Sequence, residues 1–367
     1  MSVGVRGTLQ ALSLWRVPLT RIARERRAQS DLSAEVGYIR LRPLNEWPNS
    51  GKTRVRLQAG RGARKRAFTL VLFTLVASWL AAVGPGMAQE RLAIVTTTSD
   101  LRSLSEAVGG ERVAVTSLVP PSLDPEDYQP RPQDLARLKR ARLVVRVGLD
   151  FDLWFDRLIA QAGLRRGEAG YVDASFAIAA LEVRGASIGP GDGHAHGSGN
   201  PHYWLDPKNA EIITGNILEA LARLDPGSAP IYEANRLAFL SRLDRKLSEW
   251  EAKLAPLNGV PLVAYHNSWA YFARRFRLDF VGFVEPKPGV PASPAHIVSL
   301  IGLMRARNVP IIVRQPHEPE KDVTFLAGRT GSTVVVLAAS VGARPGADDY
   351  LSLFDSNIAA LVAAKAR

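Results

Sequence analysis

From residue 91 onward, short apolar runs rich in β-branched residues alternate with segments of helical periodicity. The alternation occurs in two blocks, and two consecutive helical segments separate them. Strand–helix alternation of this kind favours parallel sheets with helices on both faces. Such sheets bind ligands beside the carboxyl ends of their strands, where the connecting loops lie. The sequence therefore predicts an α/β fold with two parallel-sheet lobes and a site built from loops.

The longest helical segment, residues 231–257, is predicted to join the two lobes. Leu243, Leu247, Trp250 and Leu254 recur at intervals of three or four along a face that is otherwise charged. At 1.5 Å per residue the segment would be about 40 Å long, enough to run the height of two domains. Its apolar seam covers too few heptads for a coiled coil, so we interpret it as a rigid spine helix.

The mature chain divides into three parts on this interpretation. Residues 89–207 form the N-terminal αβ lobe, which includes a Gly/Ser/His loop at residues 185–199. Residues 208–258 form two helices, the second of which is the spine, and residues 259–367 form the C-terminal αβ lobe.

Residues 61–88 have the organisation of a signal peptide. A basic stretch is followed by 17 apolar residues at positions 67–83, and small residues stand at Gly86 and Ala88. We expect cleavage after Ala88 and a protein free in the periplasm. A retained membrane anchor is the alternative, since 17 residues is near the lower limit for a span. The chain contains no cysteine, which excludes lipid attachment after the apolar run.

The net charge of +12 comes almost entirely from the leader. Residues 1–88 contain 15 Lys/Arg and 4 Asp/Glu, whereas the rest of the chain contains 32 and 31. The nearly neutral body gives no reason to expect a nucleic-acid partner. Residues 1–60 are Arg-rich and precede a complete signal peptide, so we expect a non-native or disordered extension and a true start near residues 55–62.

Histidines and carboxylates follow several predicted strands. Because cysteine is absent, any metal must be held by these side chains. His202 lies in the segment NPHYWLDP, His266 ends the strand 260–266, and His317 follows the strand 309–315. Glu126 and Asp127 lie in a proline-rich loop after the second strand. Imidazole and carboxylate without thiolate suit Zn²⁺ or Mn²⁺, with more oxygen donors favouring Mn²⁺.

The remaining candidates have lesser roles. Glu285 ends the strand 278–285 and is expected to support a ligand or the domain structure. His296 lies in the first turn of a helix and is interpreted as structural. His194 and His196 lie in the Gly/Ser/His loop, where they would gather metal only weakly.

Several motifs together resemble one family. They are residues 96–150, NPHYWLDP at 200–207, YHNSWAYFARRF at 265–276, EPKPGVPASPAHI at 285–297 and the closing residues 340–358. In this order they resemble the periplasmic metal-binding proteins of zinc/manganese ABC importers, over essentially residues 91–365. The resemblance implies two αβ lobes linked by a rigid helix, with the metal in the cleft between them. It also implies a monomer that captures Zn²⁺, or alternatively Mn²⁺, and delivers it to an ABC permease in the inner membrane.

The resemblance implies that His202 and His266 are metal ligands, but the chain departs from the family pattern at two places. Where the family usually has histidine in an Asp-Pro-His loop, this chain has Glu126. Residues 337–342 contain no carboxylate, although many members have an acidic ligand there. Glu126 is therefore expected to replace a histidine. The fourth ligand stays open between His317, Asp127 and water.

Two other classes of function are alternatives. A metallohydrolase would use similar ligands with an open coordination position and a general base. The sequence contains no HExxH motif, no second metal-ligand cluster and no Gly-x-Ser-x-Gly elbow. A metal-free adhesin or scaffold with the same fold is the other alternative, and the two departures motivate it.

Overall fold

A computed structural model of the protein describes residues 90–182, 197–287 and 289–365. Within these residues there are eight strands, in the two blocks that the sequence predicts. They are β1 (Leu92–Thr96), β2 (Val113–Ser117), β3 (Leu143–Arg146), β4 (Tyr171–Asp173), β5 (Pro261–Ala264), β6 (Asp279–Phe283), β7 (Ile311–Arg314) and β8 (Thr333–Val336).

The strands form two separate four-stranded parallel sheets with the same topology. The first has the order β2-β1-β3-β4 and the second the order β6-β5-β7-β8. In each sheet the strand order reverses beside its first strand, and crevices at such switch points open at the carboxyl ends of the strands. The predicted fold class, two parallel αβ lobes, is confirmed.

Helices cover the sheets and connect the lobes. They are α1 (Ser99–Gly109), α2 (Pro132–Arg140), α3 (Trp154–Ala162), α4 (Ala210–Leu224), α5 (Ala229–Leu254), α6 (Ala270–Phe276), α7 (Pro294–Ala306), α8 (Glu320–Thr330) and α9 (Tyr350–Lys365). Helix α5 is the predicted spine, with 26 residues and a length of about 39 Å. It begins two residues earlier than predicted because Pro230 fits the first turn of a helix. After Leu254 the chain tightens into a 3₁₀ turn, Ala255–Leu257.

Helix α5 is fixed to both lobes by hydrogen bonds and apolar packing. The Asn235 side-chain amide donates to the carbonyl of Val108 at the end of α1, over 3.0 Å. Further along, the Trp250 indole donates to the Asp355 carboxylate on α9, over 2.8 Å. Trp250 and Leu254 are fully buried in one apolar cluster that contains residues of both lobes. The lobes therefore share a continuous core around this helix.

The segment after β8 docks directly against the N-terminal lobe. The Trp204 indole donates to the carbonyl of Ala339 over 2.8 Å, and the backbone N–H of Val341 donates to Asp100 Oδ1 over 3.0 Å. Asp100 is completely buried, and burial raises the pKa of its carboxyl to about 7. These contacts hold the two lobes together beside the cleft between them.

Several predictions concern residues outside the described ranges. They include the extension at 1–60, the signal peptide at 61–88 and the loop histidines His194 and His196. Within the described ranges, no helix combines the length and the apolarity needed to cross a membrane. The signal peptide and the domain boundaries at 207/208 and 258/259 stay predictions.

Candidate metal centre

A cleft of about 590 Å³ opens between the two lobes at the carboxyl ends of both sheets. Its walls come from loops that follow strands of each sheet, as the fold predicts. Five carboxylates contribute to the walls, namely Asp124, Glu126, Asp127, Glu285 and Glu318. None of the described residues that line the cleft is a lysine or an arginine. The cleft is therefore suited to a cation.

Three predicted ligands meet at the base of this cleft. Glu126 comes from the N-terminal lobe, His202 from the segment leading to α4, and His266 from the C-terminal lobe. Glu126 Oε1 lies 3.3 Å from His202 Nε2 and 3.7 Å from His266 Nε2. All three ligand atoms lie within 4.8 Å of one another. Ligand atoms around a tetrahedral Zn²⁺ with bonds of about 2.0–2.1 Å are about 3.3–3.4 Å apart, so the group fits such an ion.

His202 is oriented by its neighbours in NPHYWLDP. A 3₁₀ turn starts at Tyr203 and holds His202 at its N-terminal end. Asn200 Oδ1 lies 3.1 Å from both the backbone nitrogen and the Nδ1 of His202. The rings of Phe151 and Trp204 lie against the imidazole, each with its centroid 5.4 Å away. Because Nδ1 is occupied by the amide, Nε2 is the nitrogen that faces the cleft.

His266 is oriented by a carboxylate. It lies two residues after the end of β5, and its Nδ1 lies 2.5 Å from Oε2 of Glu285, which lies two residues after the end of β6. The other oxygen of Glu285 accepts the backbone N–H of Gly289. Burial lowers the pKa of His266, but the hydrogen bond to Glu285 and the charge of Glu126 outweigh this and raise it to about 9. Glu285 thus supports a predicted ligand directly, one of the two roles expected for it.

Glu126 is held in place by its loop. Its backbone N–H donates to Asp124 Oδ1 over 2.9 Å, and the indole of Trp154 donates to the carbonyl of Pro125 over 2.9 Å. Prolines restrict the backbone on both sides of this turn. The Glu126 side chain is only 7% exposed, so its carboxylate is directed into the cleft.

His317 lines the same cleft but lies outside the group of three ligand atoms. It follows β7, and its Nε2 lies 3.7 Å from Asp124 Oδ2 in the opposite lobe. Burial lowers the pKa of His317, which favours the neutral imidazole that a metal ligand requires. Its role as fourth ligand, and that of Asp127 as the alternative, stay predictions.

The sequence reasoning missed three residues that shape the site. Asn200 stands two positions before His202, Asp124 two positions before Glu126, and Glu318 directly after His317. Glu318 is buried, accepts the backbone N–H of Gln315, and burial raises the pKa of its carboxyl to about 7. The one signal in the sequence that could have indicated them is their position, one or two residues from a predicted ligand. His296 contacts the backbone carbonyl of Phe283 over 2.9 Å, in keeping with a structural role.

Two parallel αβ lobes around an acidic cleft, with histidines and a carboxylate converging at its base, define a two-lobed metal-binding protein. Comparison with known families agrees with this class. The family described as zinc-uptake complex component A, periplasmic (ZnuA), matches residues 94–364. The chain belongs to this family of metal-binding substrate-binding proteins of ABC transporters.

Curated relatives differ in the metal that their names state. A putative metal-binding protein of Treponema pallidum is 28% identical over 67% of this chain and 78% of its own length. An iron-binding protein of Yersinia pestis, YfeA, is 25% identical over 79% of this chain and 92% of its own length. A manganese-binding lipoprotein of Halalkalibacterium halodurans, MntA, is 27% identical over 80% of this chain and 95% of its own length. Membership of the family therefore does not fix the metal of this chain.

Solved structures with the same architecture include ZnuA itself. A crystal structure of ZnuA is 29% identical to this chain, with a TM-score of 0.65, and the match covers 75% of this chain and 99% of ZnuA. A zinc-bound deletion mutant of ZnuA is also 29% identical, with a TM-score of 0.62, and the match covers 74% of this chain and 96% of the mutant.

Proposed function

We propose that this protein captures Zn²⁺ outside the cytoplasm and delivers it to an ABC permease in the inner membrane. In this proposal Glu126 Oε1, His202 Nε2 and His266 Nε2 bind the ion. The observation that carries the proposal is their convergence from different parts of the fold to within 4.8 Å. The second nitrogen of each histidine has a polar partner, an arrangement that orients metal-ligating imidazoles.

The balance of donors supports zinc over manganese. Two imidazoles and one carboxylate form a nitrogen-rich set, and Zn²⁺ accepts such ligands in four-coordination. Mn²⁺ prefers more oxygen donors. In the proposed site His317 completes the coordination, with Asp127 or a water molecule as the alternative fourth donor. A manganese cargo is the alternative that relatives named for manganese keep open.

The route to the site follows from the predicted leader. Residues 61–88 direct export and are removed after Ala88, which leaves a monomeric protein free in the periplasm. No covalent step is needed, because the cargo is released unchanged. The absence of cysteine in the chain is incompatible with the lipid anchor that the names of several relatives state.

Competitive zinc titration of the metal-free chain tests this function. We expect one tightly bound Zn²⁺ per chain and a loss of affinity of more than about 100-fold in Glu126→Gln, His202→Ala and His266→Ala. His296→Ala is the matched control, since this histidine contacts a backbone carbonyl away from the cleft, and it should bind zinc as the unchanged chain does. Tighter binding of Mn²⁺ would change the cargo. Failure to bind either ion would favour the metal-free scaffold.

A further inference from the structure

Asp124 and His317 face one another across the mouth of the cleft. Asp124 lies in the loop after β2 and His317 in the loop after β7, so the pair joins the two lobes. Asp124 Oδ2 and His317 Nε2 are 3.7 Å apart. Their side chains are 42% and 19% exposed, more than the side chains of Glu126 and His202 at the base. The pair is thus an outer layer of the site.

The two oxygens of Asp124 have different partners. Oδ1 accepts the backbone N–H of Glu126 over 2.9 Å, whereas Oδ2 faces His317. One carboxylate therefore fixes the backbone of a ligand in the N-terminal lobe and also faces a histidine of the C-terminal lobe. A shift of about 0.5–1 Å would bring Oδ2 into hydrogen-bond distance of His317 Nε2.

The histidines of the cleft share a pattern in which one nitrogen has a polar partner. Asn200 contacts Nδ1 of His202 and Glu285 contacts Nδ1 of His266, which leaves Nε2 of each for the ion. Such partners fix the tautomer and the ring orientation of a metal-ligating histidine. At His317 the carboxylate of Asp124 lies on the other side of the ring, 3.7 Å from Nε2.

The geometry points to Asp124 as a positioning residue that accepts the Nε2–H of His317 and presents its Nδ1 as the fourth donor to the bound ion. This inference rests on the proposed function. It specifies which nitrogen of His317 binds and which residue holds it there. Because Asp124 connects ligands of both lobes, its loss should speed release of the ion more than it slows capture.

Zinc release rates, measured by stopped-flow transfer to a chelator, test the inference in a double-mutant cycle. Asp124→Asn keeps an oxygen for the Glu126 N–H but turns its NH₂ group, which cannot accept a hydrogen bond, toward His317. We expect Asp124→Asn and His317→Ala each to raise the release rate at least about tenfold. The double variant should release zinc no faster than the faster single variant, because both changes remove one interaction.

A charge control and a spectroscopic measurement complete the test. Glu320→Gln removes a carboxylate that is 72% exposed and lies three positions after His317, and it should leave the release rate within about twofold. In the zinc-loaded chain, imidazole ¹⁵N shifts should show His317 bound through Nδ1 and protonated at Nε2. In Asp124→Asn this signature should be lost.

The inference and the proposed function fail in different ways. The role of Asp124 alone would be overturned, with zinc still tightly bound, by any of three results. They are a release rate in the double variant that equals the product of the two single effects, an unchanged release rate in His317→Ala, or His317 bound through Nε2. Failure of the unchanged chain to bind zinc would overturn both.

Discussion

The surroundings of His266 give metal binding a definite pH dependence. Burial opposes a charge on this imidazole, but the hydrogen bond to Glu285 and the charge of Glu126 raise its pKa to about 9. At pH 7, two units lower, about 99% of the metal-free chains carry a proton on His266. A metal ion bound to Nε2 requires an unprotonated nitrogen there. Binding must therefore displace nearly one proton from this residue.

The magnitude follows from the separation between pKa and pH. Between pH 7 and pH 9 the apparent zinc affinity should rise by about 100-fold, or about tenfold per unit, and level off above pH 9. The stability of the metal-free chain depends on pH in the opposite direction to the zinc affinity. Because the folded pKa of His266 is raised, its contribution to stability is complete below pH 6.5 and is lost as the pH rises through 9.

Calorimetric zinc titration at pH 7 in two buffers of different protonation enthalpy measures the released protons directly. Chelator competition from pH 6.5 to 9.5 measures the affinity. Glu285→Gln is the control: without the carboxylate charge the pKa of His266 should fall, so fewer protons are released and the pH dependence is shallower. Release of fewer than about 0.3 protons, with an affinity independent of pH, would refute this account of His266.

Three further predictions concern stability. Asp100→Asn keeps an acceptor for the Val341 N–H but cannot ionise. Since the pKa of Asp100 is about 7, the unchanged chain should lose roughly 2–3 kcal/mol of unfolding free energy between pH 5 and pH 8, as measured by urea unfolding. The variant should not show this loss. Trp250→Ala empties a fully buried site and should lower the free energy of unfolding by about 3–5 kcal/mol in the same assay. Arg146→Met removes the guanidinium that pairs with buried Asp152 and leaves this carboxylate only its backbone N–H donors. The change should cost about 3–5 kcal/mol by thermal or urea unfolding.

Each stability prediction has an exposed control. The free energy of unfolding should change by less than about 0.5 kcal/mol in three control variants, because their side chains are exposed. The controls are Glu106→Gln on α1 (47% exposed), Leu237→Ala on α5 (58%) and Arg166→Met (60%). A pH slope that persists in Asp100→Asn would show that another group titrates. Losses below about 1 kcal/mol for the buried Trp or Arg variants would contradict the packing described here.

The secondary structure was predictable because its signals are local. β-Branched runs and apolar residues at helical spacing are read within one segment, and all eight strands and the spine helix lie where these patterns indicated. The helix ends differ by a few residues, as at α5, where Pro230 starts the helix earlier. The identical strand order of the two sheets could not be inferred, since the sequence shows no clear internal repeat.

The site was predictable only in part. Ligand candidates stood out because parallel strands deliver the residues after them to one edge of each sheet. Glu285, the partner of His266, was expected to support a ligand. Asn200 and Asp124, which lie beside His202 and His317, were not foreseen, because their contacts depend on loop conformation. The contact between Asp100 and Val341, 241 positions apart, depends on how two lobes dock, which no local pattern encodes.

The position of the bound ion tests the central claim most directly. Anomalous diffraction at the zinc absorption edge, from crystals of the protein with one equivalent of Zn²⁺, measures that position. We predict one strong peak within about 2.0–2.2 Å of Glu126 Oε1, His202 Nε2 and His266 Nε2. A peak elsewhere in the chain, or none, would contradict the assignment of these three residues.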